Sequence, residues 1–282
     1  MKIAVISINI GDYVVFWEKF YESAEKNFIP EWQKDYFVFT DKEDVLDLKK
    51  DNIILIHQED MGWPYNTMKR FALFRKIIDQ LSEYDYVFFA NANTEFVQKI
   101  STGFIDPQKN IITVEHPGYH YSSIDKKPFE NRKESRAFVD NTKRKVYVQG
   151  AFYGGRASSF IKMIIELDNG TEEDLNNGII AIWHDESFLN AYIAKNEDIQ
   201  ILGWQYLYYE EYILPYTPTI MLRNKRDYIT NKNGRFRGQN FTLTKIKIML
   251  RNLKWWFLIY IGIYKTQSIY DKNGEYIRNI GD

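Results

Sequence analysis

The first 115 residues alternate short apolar runs with amphipathic segments, and this alternation restricts the possible folds more than any other feature. The strand-like runs are Ile3–Asn9, Tyr36–Thr40, Ile53–His57, Tyr86–Ala90 and Ile111–Glu115. The helix-like segments between them are Val14–Phe28 and Thr67–Leu81. Strands that are joined through helices pair in parallel, so the pattern predicts an α/β fold whose mainly parallel sheet is covered by helices.

Ligands of such sheets gather outside the carboxyl ends of the strands. The loop Asn9–Tyr13 and the segment Asn91–Asn93 both follow apolar runs and therefore lie at such ends. This edge of the sheet is the first candidate for a functional site.

The pattern changes after residue 116. Residues 117–145 are polar and favour a loop or lid rather than core. The strand-like Val146–Gln149 then leads into the glycine-containing segment Gly150–Gly155. Further predicted features are a helix at Ser158–Leu167, a helix cap at Thr171 and Asp174, a helix at Asp185–Lys195 and a strand at Thr219–Leu222.

Charge is distributed unevenly along the chain. Residues 223–265 hold eleven Lys or Arg and one acid, whereas the formal net charge of the whole chain is −1. Within 242–264 the basic residues alternate with Trp, Phe, Ile and Leu, which suits a helix at an anionic membrane surface. The alternative is a helix docked on its own domain or on a dimer partner.

Cysteine is absent, so disulfides and zinc–thiolate sites are excluded. The N-terminal apolar run is too short and too polar for a signal peptide, and no stretch reaches the roughly 18–20 apolar residues of a membrane-spanning helix. We therefore expect a cytoplasmic protein, peripheral on the inner face of a bacterial inner membrane.

Two short polar segments could carry chemistry. Asn91 and Asn93 follow a buried strand and point to the same side, although Asn-Ala-Asn alone is typical of a turn. Asp185 and Glu186 begin a predicted helix beside Trp183, and so offer a negative centre next to an aromatic ring. Such a pair could instead be ordinary helix capping.

Together with five further ordered blocks, the region around Glu186 resembles the family 6 glycosyltransferases, which include the blood-group A and B transferases and bacterial relatives. The resemblance extends from about Ile3 to Arg226, and its most specific block is Trp183–Ser187 with Leu189 and Asn190. The other blocks are Phe20–Phe28, Tyr36–Asp41, Met68–Arg70, His116–Tyr119 and Gly150–Gly155.

The resemblance implies a GT-A fold with a Rossmann-like mixed sheet flanked by helices. It divides the chain into a catalytic domain at 1–238 and a basic aromatic helical extension at 239–282. Within the catalytic domain, residues 1–115 form the nucleotide-binding half and residues 116–238 the acceptor-binding half. The implied reaction is retaining transfer of Gal or GalNAc from a UDP-sugar to the 3-OH of a β-galactoside.

The resemblance also assigns donor-binding residues. Ile8, Ile10 and Tyr13 match the positions that hold uracil and ribose, and Arg70 matches an arginine near the donor. Asn91 and Asn93 fall on the family's two metal-binding aspartates. Some bacterial members share the Asn-x-Asn form and work without metal, so no metal cofactor is expected here.

Another positive charge must then stabilise the departing UDP. Arg223, Lys225 and Arg226 follow the predicted strand Thr219–Leu222 and are the candidates, since Lys and Arg can neutralise diphosphate oxygens. A solvated basic turn or a membrane contact is the alternative interpretation.

Glu186 matches the family's catalytic carboxylate, and Asp185 matches the residue that binds hydroxyls of the donor sugar. Trp183 and His116 match acceptor-binding positions, and Glu186 also borders the acceptor.

The pair Gln149 and Ala151 matches the positions that select the donor. Ala at the second position goes with galactose in the family, which favours UDP-Gal, with UDP-GalNAc as the alternative. One methyl group supplies roughly 1–3 kcal/mol of discrimination.

Three other classes of protein fit the sequence less well. A glycoside hydrolase requires a separate acid and base about 5–9.5 Å apart, whereas the sequence offers one strong acidic centre. A non-catalytic carbohydrate-binding protein explains the aromatic residues but not the combination of Arg70, Asn91, Asn93 and the two carboxylates. A nucleic-acid binder is disfavoured because the rest of the chain is acidic.

The expected acceptor is a galactoside, 2-fucosylated and lipid-linked, in O-antigen or lipopolysaccharide synthesis.

Overall fold

The structure is a computed structural model that describes residues 1–43, 50–119, 122–212, 217–229, 235–236, 239–260, 268–270 and 276–279. Its strands are β1 (Lys2–Ile8), β2 (Gln33–Thr40), β3 (Ile53–His57), β4 (Tyr86–Ala90), β5 (Thr94–Phe96), β6 (Ile111–Glu115), β7 (Val148–Arg156), β8 (Ile199–Leu202), β9 (Tyr208–Tyr209), β10 (Ile220–Leu222), β11 (Arg235–Phe236), β12 (Gln239–Asn240), β13 (Ser268–Tyr270) and β14 (Tyr276–Asn279). Its α-helices are α1 (Trp17–Asn27), α2 (Tyr65–Met68), α3 (Arg70–Arg75), α4 (Ile78–Leu81), α5 (Ala157–Asn176), α6 (Asp185–Lys195), α7 (Lys225–Tyr228) and α8 (Phe241–Tyr260).

A seven-stranded sheet in the order β3-β2-β1-β4-β7-β6-β8 forms the centre of the molecule. The strands β3, β2, β1 and β4 are parallel neighbours. Strand β7 is antiparallel to both β4 and β6, and β8 is parallel to β6. The predicted α/β fold with a Rossmann-like mixed sheet is confirmed. Both predicted halves of the catalytic domain contribute, because β7 and β8 come from the second half.

The sheet is buried on both faces, which explains why its strands are continuous apolar runs rather than alternating ones. In β1, Ala4 and Ile6 pack in the cluster that includes α3 and α5, whereas Ile3 and Val5 pack against α1. The predicted bounds of β3, β4, β6 and α6 are confirmed.

The predicted end of the strand at Gln149 is wrong, because β7 continues to Arg156. Glycine is needed inside this strand where neighbouring strands pack closely. A Cβ on Gly154 would lie 2.2 Å from Cδ1 of Phe88, and one on Gly155 would lie 2.1 Å from the carbonyl oxygen of Asn110. The glycines thus allow close packing and do not form a loop.

The predicted cap at Thr171 and Asp174 is also wrong, because both residues lie inside α5. The Thr171 hydroxyl donates to the carbonyl oxygen of Leu167 at 2.8 Å. The Asp174 carboxylate accepts hydrogen bonds from the Ser135 hydroxyl at 2.6 Å and the Arg136 N–H at 2.8 Å. Asp174 therefore fastens the preceding loop to the helix.

Residues 117–145, predicted as a loop or lid rather than core, form a loop with short 3₁₀ turns among the described residues, but the expectation that this loop lies outside the core is wrong. Phe129 and Val139 are each 2% exposed and form a small apolar core with Tyr147. Lys127 is buried and forms an ion pair with Glu115 at 2.9 Å. Buried apolar and paired groups make this segment part of the folded core.

A smaller sheet in the order β5-β10-β9 holds the basic segment at 223–226 beside the end of β4. Strands β5 and β10 are antiparallel, and the Arg223 N–H that follows β10 donates to the carbonyl oxygen of Asn93 at 2.8 Å. Of the predicted helix at 242–264, α8 covers the part up to Tyr260, and residues 261–264 lie outside the described residues.

Candidate active site

A cavity of about 270 Å³ opens at the carboxyl ends of β1 and β4, at the edge where the sequence predicts a site. Ten of the predicted site residues line it: Ile8, Ile10, Tyr13, Arg70, Asn91, Gln149, Trp183, Asp185, Glu186 and Lys225. Trp63, Asn66, Thr67, Ala92, Gly150 and His184 complete its described lining. The structure therefore brings together most of the residues that the sequence assigns to the donor site.

Arg70 is buried at the bottom of this cavity and connects three elements. Its Nη1 atom donates to the carbonyl oxygen of Gly150 at 2.7 Å and to the Asp185 carboxylate at 2.5 Å. Its Nη2 atom donates to the side-chain oxygen of Asn91 at 3.3 Å. The guanidinium lies over the ring of Phe89, 4.4 Å from its centroid. This network fixes α6, β7 and the end of β4 relative to one another.

Glu186 lies in the first turn of α6 and presents its carboxylate to the cavity. Oε1 accepts a hydrogen bond from the Tyr147 hydroxyl at 2.9 Å, and Oε2 accepts one from the Gly150 N–H at 2.9 Å. Burial raises the pKa of Glu186 to about 7, while these two hydrogen bonds oppose the increase. A desolvated carboxylate in a fixed position is suited to meeting a positive charge that develops on a sugar.

The start of α6 is held in place by its contacts with β7. Asn190 is buried, and its side chain accepts from the Val148 N–H at 2.8 Å and donates to the Val148 carbonyl oxygen at 2.9 Å. It also donates to the carbonyl oxygen of Glu186 at 2.9 Å. His184, at the N-cap, has a positive φ of 51°, a conformation that costs energy for a residue with a side chain. The contacts of Asn190 stabilise this turn.

His116 lies behind Glu186, with Nε2 4.0 Å from Oε1 of the carboxylate. Burial lowers the pKa of His116 to about 3, so the ring is neutral at neutral pH. Because the Gly118 N–H donates to Nδ1 at 3.0 Å, the ring proton is on Nε2. The Nε2–H group of His116 can therefore donate one hydrogen bond on the side of the ring that faces Glu186. Trp183 is 46% exposed and lines the cavity, so an apolar ring face is available there.

Asn91 and Asn93 do not form a site that suits a divalent cation. The side-chain oxygen of Asn91 accepts from the Arg70 guanidinium, and the side-chain amide of Asn93 donates to the carbonyl oxygen of Arg223 at 2.7 Å. Neither residue has the anionic oxygen that Mg²⁺ or Mn²⁺ prefers, and a guanidinium lies beside the first. In the described part of the chain, no group of three or more His, Cys, Asp or Glu side chains could hold a metal ion.

A second cavity of about 210 Å³ adjoins the first and shares Asn91, Gln149 and Lys225 with it. Its remaining lining is Asn93, Tyr209, Glu211, Leu222, Arg223, Asn224 and Arg226. The three predicted basic residues thus lie here, but only Lys225 also reaches the first cavity.

The surroundings of the three basic residues differ. Arg223 is paired with Glu95 at 2.5 Å and with Glu210 at 2.6 Å. Arg226 is paired with Glu211 at 3.2 Å. The Lys225 ammonium lies 5.1 Å from the ring centroid of Tyr13, a residue predicted to hold the nucleotide. Arg223 and Arg226 therefore hold the segment in place through their ion pairs, and Lys225 is the one of the three that lines the first cavity.

Gln149 and Ala151 occupy different environments although only one residue separates them. Gln149 lines both cavities, with its amide donating to the Tyr209 hydroxyl at 2.9 Å and its oxygen accepting from the Ala151 N–H at 2.9 Å. Ala151 is fully buried in β7. Of this pair, Gln149 can touch a ligand directly, whereas Ala151 can act only through the packing of its methyl group.

Four residues near the site were not predicted from the sequence: Tyr147, Asn66, Thr67 and Trp63. Tyr147 is a buried tyrosine whose hydroxyl binds Glu186, and no local pattern marks it. Gly150 was part of a matched block, and a glycine inside a strand can indicate a close backbone approach. Here Gly150 binds both side chains through its backbone, since its carbonyl oxygen accepts from Arg70 and its N–H donates to Glu186.

Comparisons with known proteins identify the family of the chain. The family model described as "Glycosyltransferase family 6" matches residues 1–234. The O-antigen biosynthesis glycosyltransferase WbnI of Escherichia coli is 37% identical over 80% of this chain and 95% of its own length. The rat histo-blood group ABO system transferase 2 is 28% identical over 71% of this chain and 61% of its own length. The human globoside alpha-1,3-N-acetylgalactosaminyltransferase 1 is 26% identical over 74% and 61%.

The chain thus spans about three fifths of the length of these two mammalian relatives and nearly all of the bacterial one. The family model covers most of the chain. The first cavity is lined by ten of the site residues that the resemblance predicts. The chain belongs to glycosyltransferase family 6 and is a glycosyltransferase.

Proposed function

We propose that this protein transfers galactose from UDP-Gal to the 3-OH of a β-galactoside with retention of configuration and without a metal ion. The acceptor that we propose is a 2-fucosylated galactoside in bacterial O-antigen or lipopolysaccharide synthesis. The name of the E. coli relative, an O-antigen biosynthesis glycosyltransferase, supports this pathway class. The same reaction with UDP-GalNAc is the alternative, since the human relative is named as an N-acetylgalactosaminyltransferase.

The observation that carries the proposal is the carboxylate of Glu186, held by Tyr147 and Gly150 and open to the cavity. In a retaining transfer, this carboxylate acts on the sugar face opposite the leaving group, either as nucleophile or by stabilising an oxocarbenium-like state. Asp185 is held by Arg70 and lies in position to bind donor-sugar hydroxyls. Trp183 lines the same cavity, and Nε2 of His116 lies 4.0 Å from the Glu186 carboxylate. We assign these two residues to the acceptor, as a ring face and an N–H donor.

Metal independence is supported by the donor set around the two asparagines. The side chains of Asn91 and Asn93 are uncharged amides that already form hydrogen bonds with Arg70 and with the carbonyl oxygen of Arg223, so they offer a cation no negative charge. Lys225 provides a positive charge that lines both cavities and can stabilise the departing diphosphate. Gln149 lines both cavities, and its side chain is held by Tyr209 and by the N–H of Ala151. We base the preference for galactose on Ala151, since Ala goes with galactose at that position of the family.

A donor and acceptor panel tests the proposal. UDP-Gal and UDP-GalNAc are each incubated with galactosides that carry or lack a 2-linked fucose, with and without excess EDTA, and the products are identified by mass spectrometry and NMR. The expected product is an α-1,3-linked galactoside from UDP-Gal, formed at an unchanged rate in EDTA. Loss of turnover in EDTA with rescue by Mn²⁺ would contradict the metal-independent mechanism. Absence of transfer to any galactoside would favour a carbohydrate-binding protein.

The role of Lys225 is tested by comparing two neighbouring basic residues of α7. Lys225→Met should lower kcat/KM for transfer by about 10²-fold, because it removes the cation that faces the departing diphosphate. Arg226→Gln is the matched variant, since its charge is compensated by Glu211, and its loss should be about tenfold smaller. Steady-state kinetics and calorimetric binding of UDP measure both effects. A larger loss in Arg226→Gln would assign the diphosphate to Arg226.

A further inference from the structure

Helix α8 presents an apolar stripe to the outside of the molecule. Its members are 45–78% exposed: Ile246, Met249, Leu250, Leu253, Trp256, Phe257 and Tyr260. Their spacing places them within roughly 120° of the helix circumference. Trp256 and Tyr260 stack with their ring centroids 5.6 Å apart. Exposed apolar stripes of this length mark a surface that binds a partner.

The other side of α8 attaches to the catalytic domain through polar and cationic contacts. The Asn252 side chain donates to the carbonyl oxygen of Glu211 at 2.6 Å. The Arg251 guanidinium lies over the ring of Tyr212, 3.9 Å from its centroid. Docking on its own domain therefore uses the side of α8 that is away from the apolar stripe.

Positive charge borders the stripe. Lys247 and Lys254 are exposed on α8 and, at about 100° per residue, both fall beside the edge formed by Leu250. The segment 223–265 as a whole holds eleven Lys or Arg and one acid. An apolar stripe edged by lysines matches the interface of an anionic bilayer, where acyl chains and headgroup phosphates lie at adjacent depths. Packing two copies stripe to stripe would instead bring like charges together.

We infer that α8 lies in the interface of an anionic lipid bilayer, with the stripe inserted among the acyl chains and the lysines at the headgroups. Among the described residues no helix is long and apolar enough to cross a membrane. Because the apolar stripe runs along the length of α8, we place this helix parallel to the membrane surface. Tryptophan and tyrosine in the stripe fit this depth, since both are enriched at membrane interfaces.

The attachment of α8 also fixes the orientation of the site. Glu211, whose carbonyl oxygen binds Asn252, lines the second cavity and pairs with Arg226. A helix held by the bilayer thus holds the second cavity close to the bilayer surface. This geometry suits a ligand whose far end is embedded in the membrane.

The inference is tested with the full-length protein and two kinds of vesicle, one of phosphatidylcholine alone and one with an equal part of phosphatidylglycerol. Wild-type protein should co-sediment with the anionic vesicles, and less so at high salt. Leu250→Gln/Leu253→Gln/Phe257→Gln removes apolar area without changing charge and should weaken binding at least about tenfold. Lys247→Gln/Lys254→Gln should weaken binding to anionic vesicles only, by about fivefold per lysine.

The matched control is Val15→Gln/Ile180→Gln, which replaces apolar residues of similar exposure, 51% and 48%, outside α8. It should bind vesicles as the wild type does. Thermal unfolding midpoints and calorimetric UDP binding establish that each variant is folded, independently of any transferase activity. Unchanged vesicle binding in the stripe variant would overturn the inference. A wild type that does not bind vesicles and sediments as a dimer, with a monomeric stripe variant, would assign the stripe to a second copy.

Discussion

Glu186→Gln is expected to reduce transfer by at least about 10³-fold while leaving the affinity for UDP nearly unchanged. The amide keeps the shape of the side chain and can still accept from the Gly150 N–H or the Tyr147 hydroxyl. It cannot provide the negative charge that a nucleophile or an oxocarbenium-stabilising group requires. Single-turnover transfer and calorimetric UDP binding separate these two effects. Near-normal turnover in this variant would remove Glu186 from the mechanism.

The same substitution should increase stability, and the increase should depend on pH. Burial raises the pKa of Glu186 from its usual 4.5 to about 7, so between these two pH values the folded protein holds a proton that the unfolded chain has released. The contribution of Glu186 to folding is therefore fully present below about pH 4.5 and is lost as the pH rises through about 7. Glu186→Gln removes this dependence.

We expect the free energy of unfolding of Glu186→Gln to exceed that of the wild type at pH 8, by an amount on the order of 1–3 kcal/mol, and to approach it at pH 5. Denaturant unfolding at a series of pH values measures the difference. In the wild type, kcat/KM for transfer should fall below about pH 7, since only the ionised carboxylate is active. A stability difference that is constant with pH would contradict the raised pKa.

The sequence was informative where local pattern determines structure. Strands β4 and β6 are buried along their whole length and β3 is half-buried at the edge of the sheet, but each is an apolar run bounded by polar residues, and their bounds were predicted. The long helix at Thr67–Leu81 was predicted as one element, but it is divided into α2, α3 and α4. Strand β7 was ended too early because glycine usually indicates a turn, whereas here it permits close strand packing.

The residues of the candidate site were likewise predictable only in part. Asp185 and Glu186 were recognisable because adjacent carboxylates begin a helix inside a specific block. The groups that fix the Glu186 carboxylate, Tyr147 and the Gly150 N–H, are 39 and 36 residues away in the chain, so no periodicity reveals them. Likewise, the carboxylate that pairs with Arg223 is that of Glu95, 128 residues away. Only the folded sheet β5-β10-β9 shows that Arg223 holds the segment 223–226 in place and that Lys225 lines the first cavity.

Substitutions of Arg70 and Asp185 should separate the contribution of this buried ion pair to stability from its contribution to transfer. Arg70→Met leaves Asp185, which is 4% exposed, without its cation, and should destabilise the protein by about 3–5 kcal/mol. Burial already raises the pKa of Asp185, and loss of Arg70 raises it further, so this destabilisation should increase as the pH rises and the carboxylate ionises. Denaturant unfolding at acidic and alkaline pH measures both effects.

The double variant Arg70→Met/Asp185→Asn removes both charges together and should recover most of the lost stability, because neither partner is left buried and unpaired. It should not recover activity, and kcat/KM should remain about 10²-fold or more below the wild type. The reason is that Arg70 also forms hydrogen bonds with Asn91 and with the Gly150 carbonyl oxygen, both in the lining of the first cavity. A double variant that is both stable and fully active would show that the pair only supports the fold. A single variant that loses less than about 1 kcal/mol would show that the pair is not buried as the structure has it.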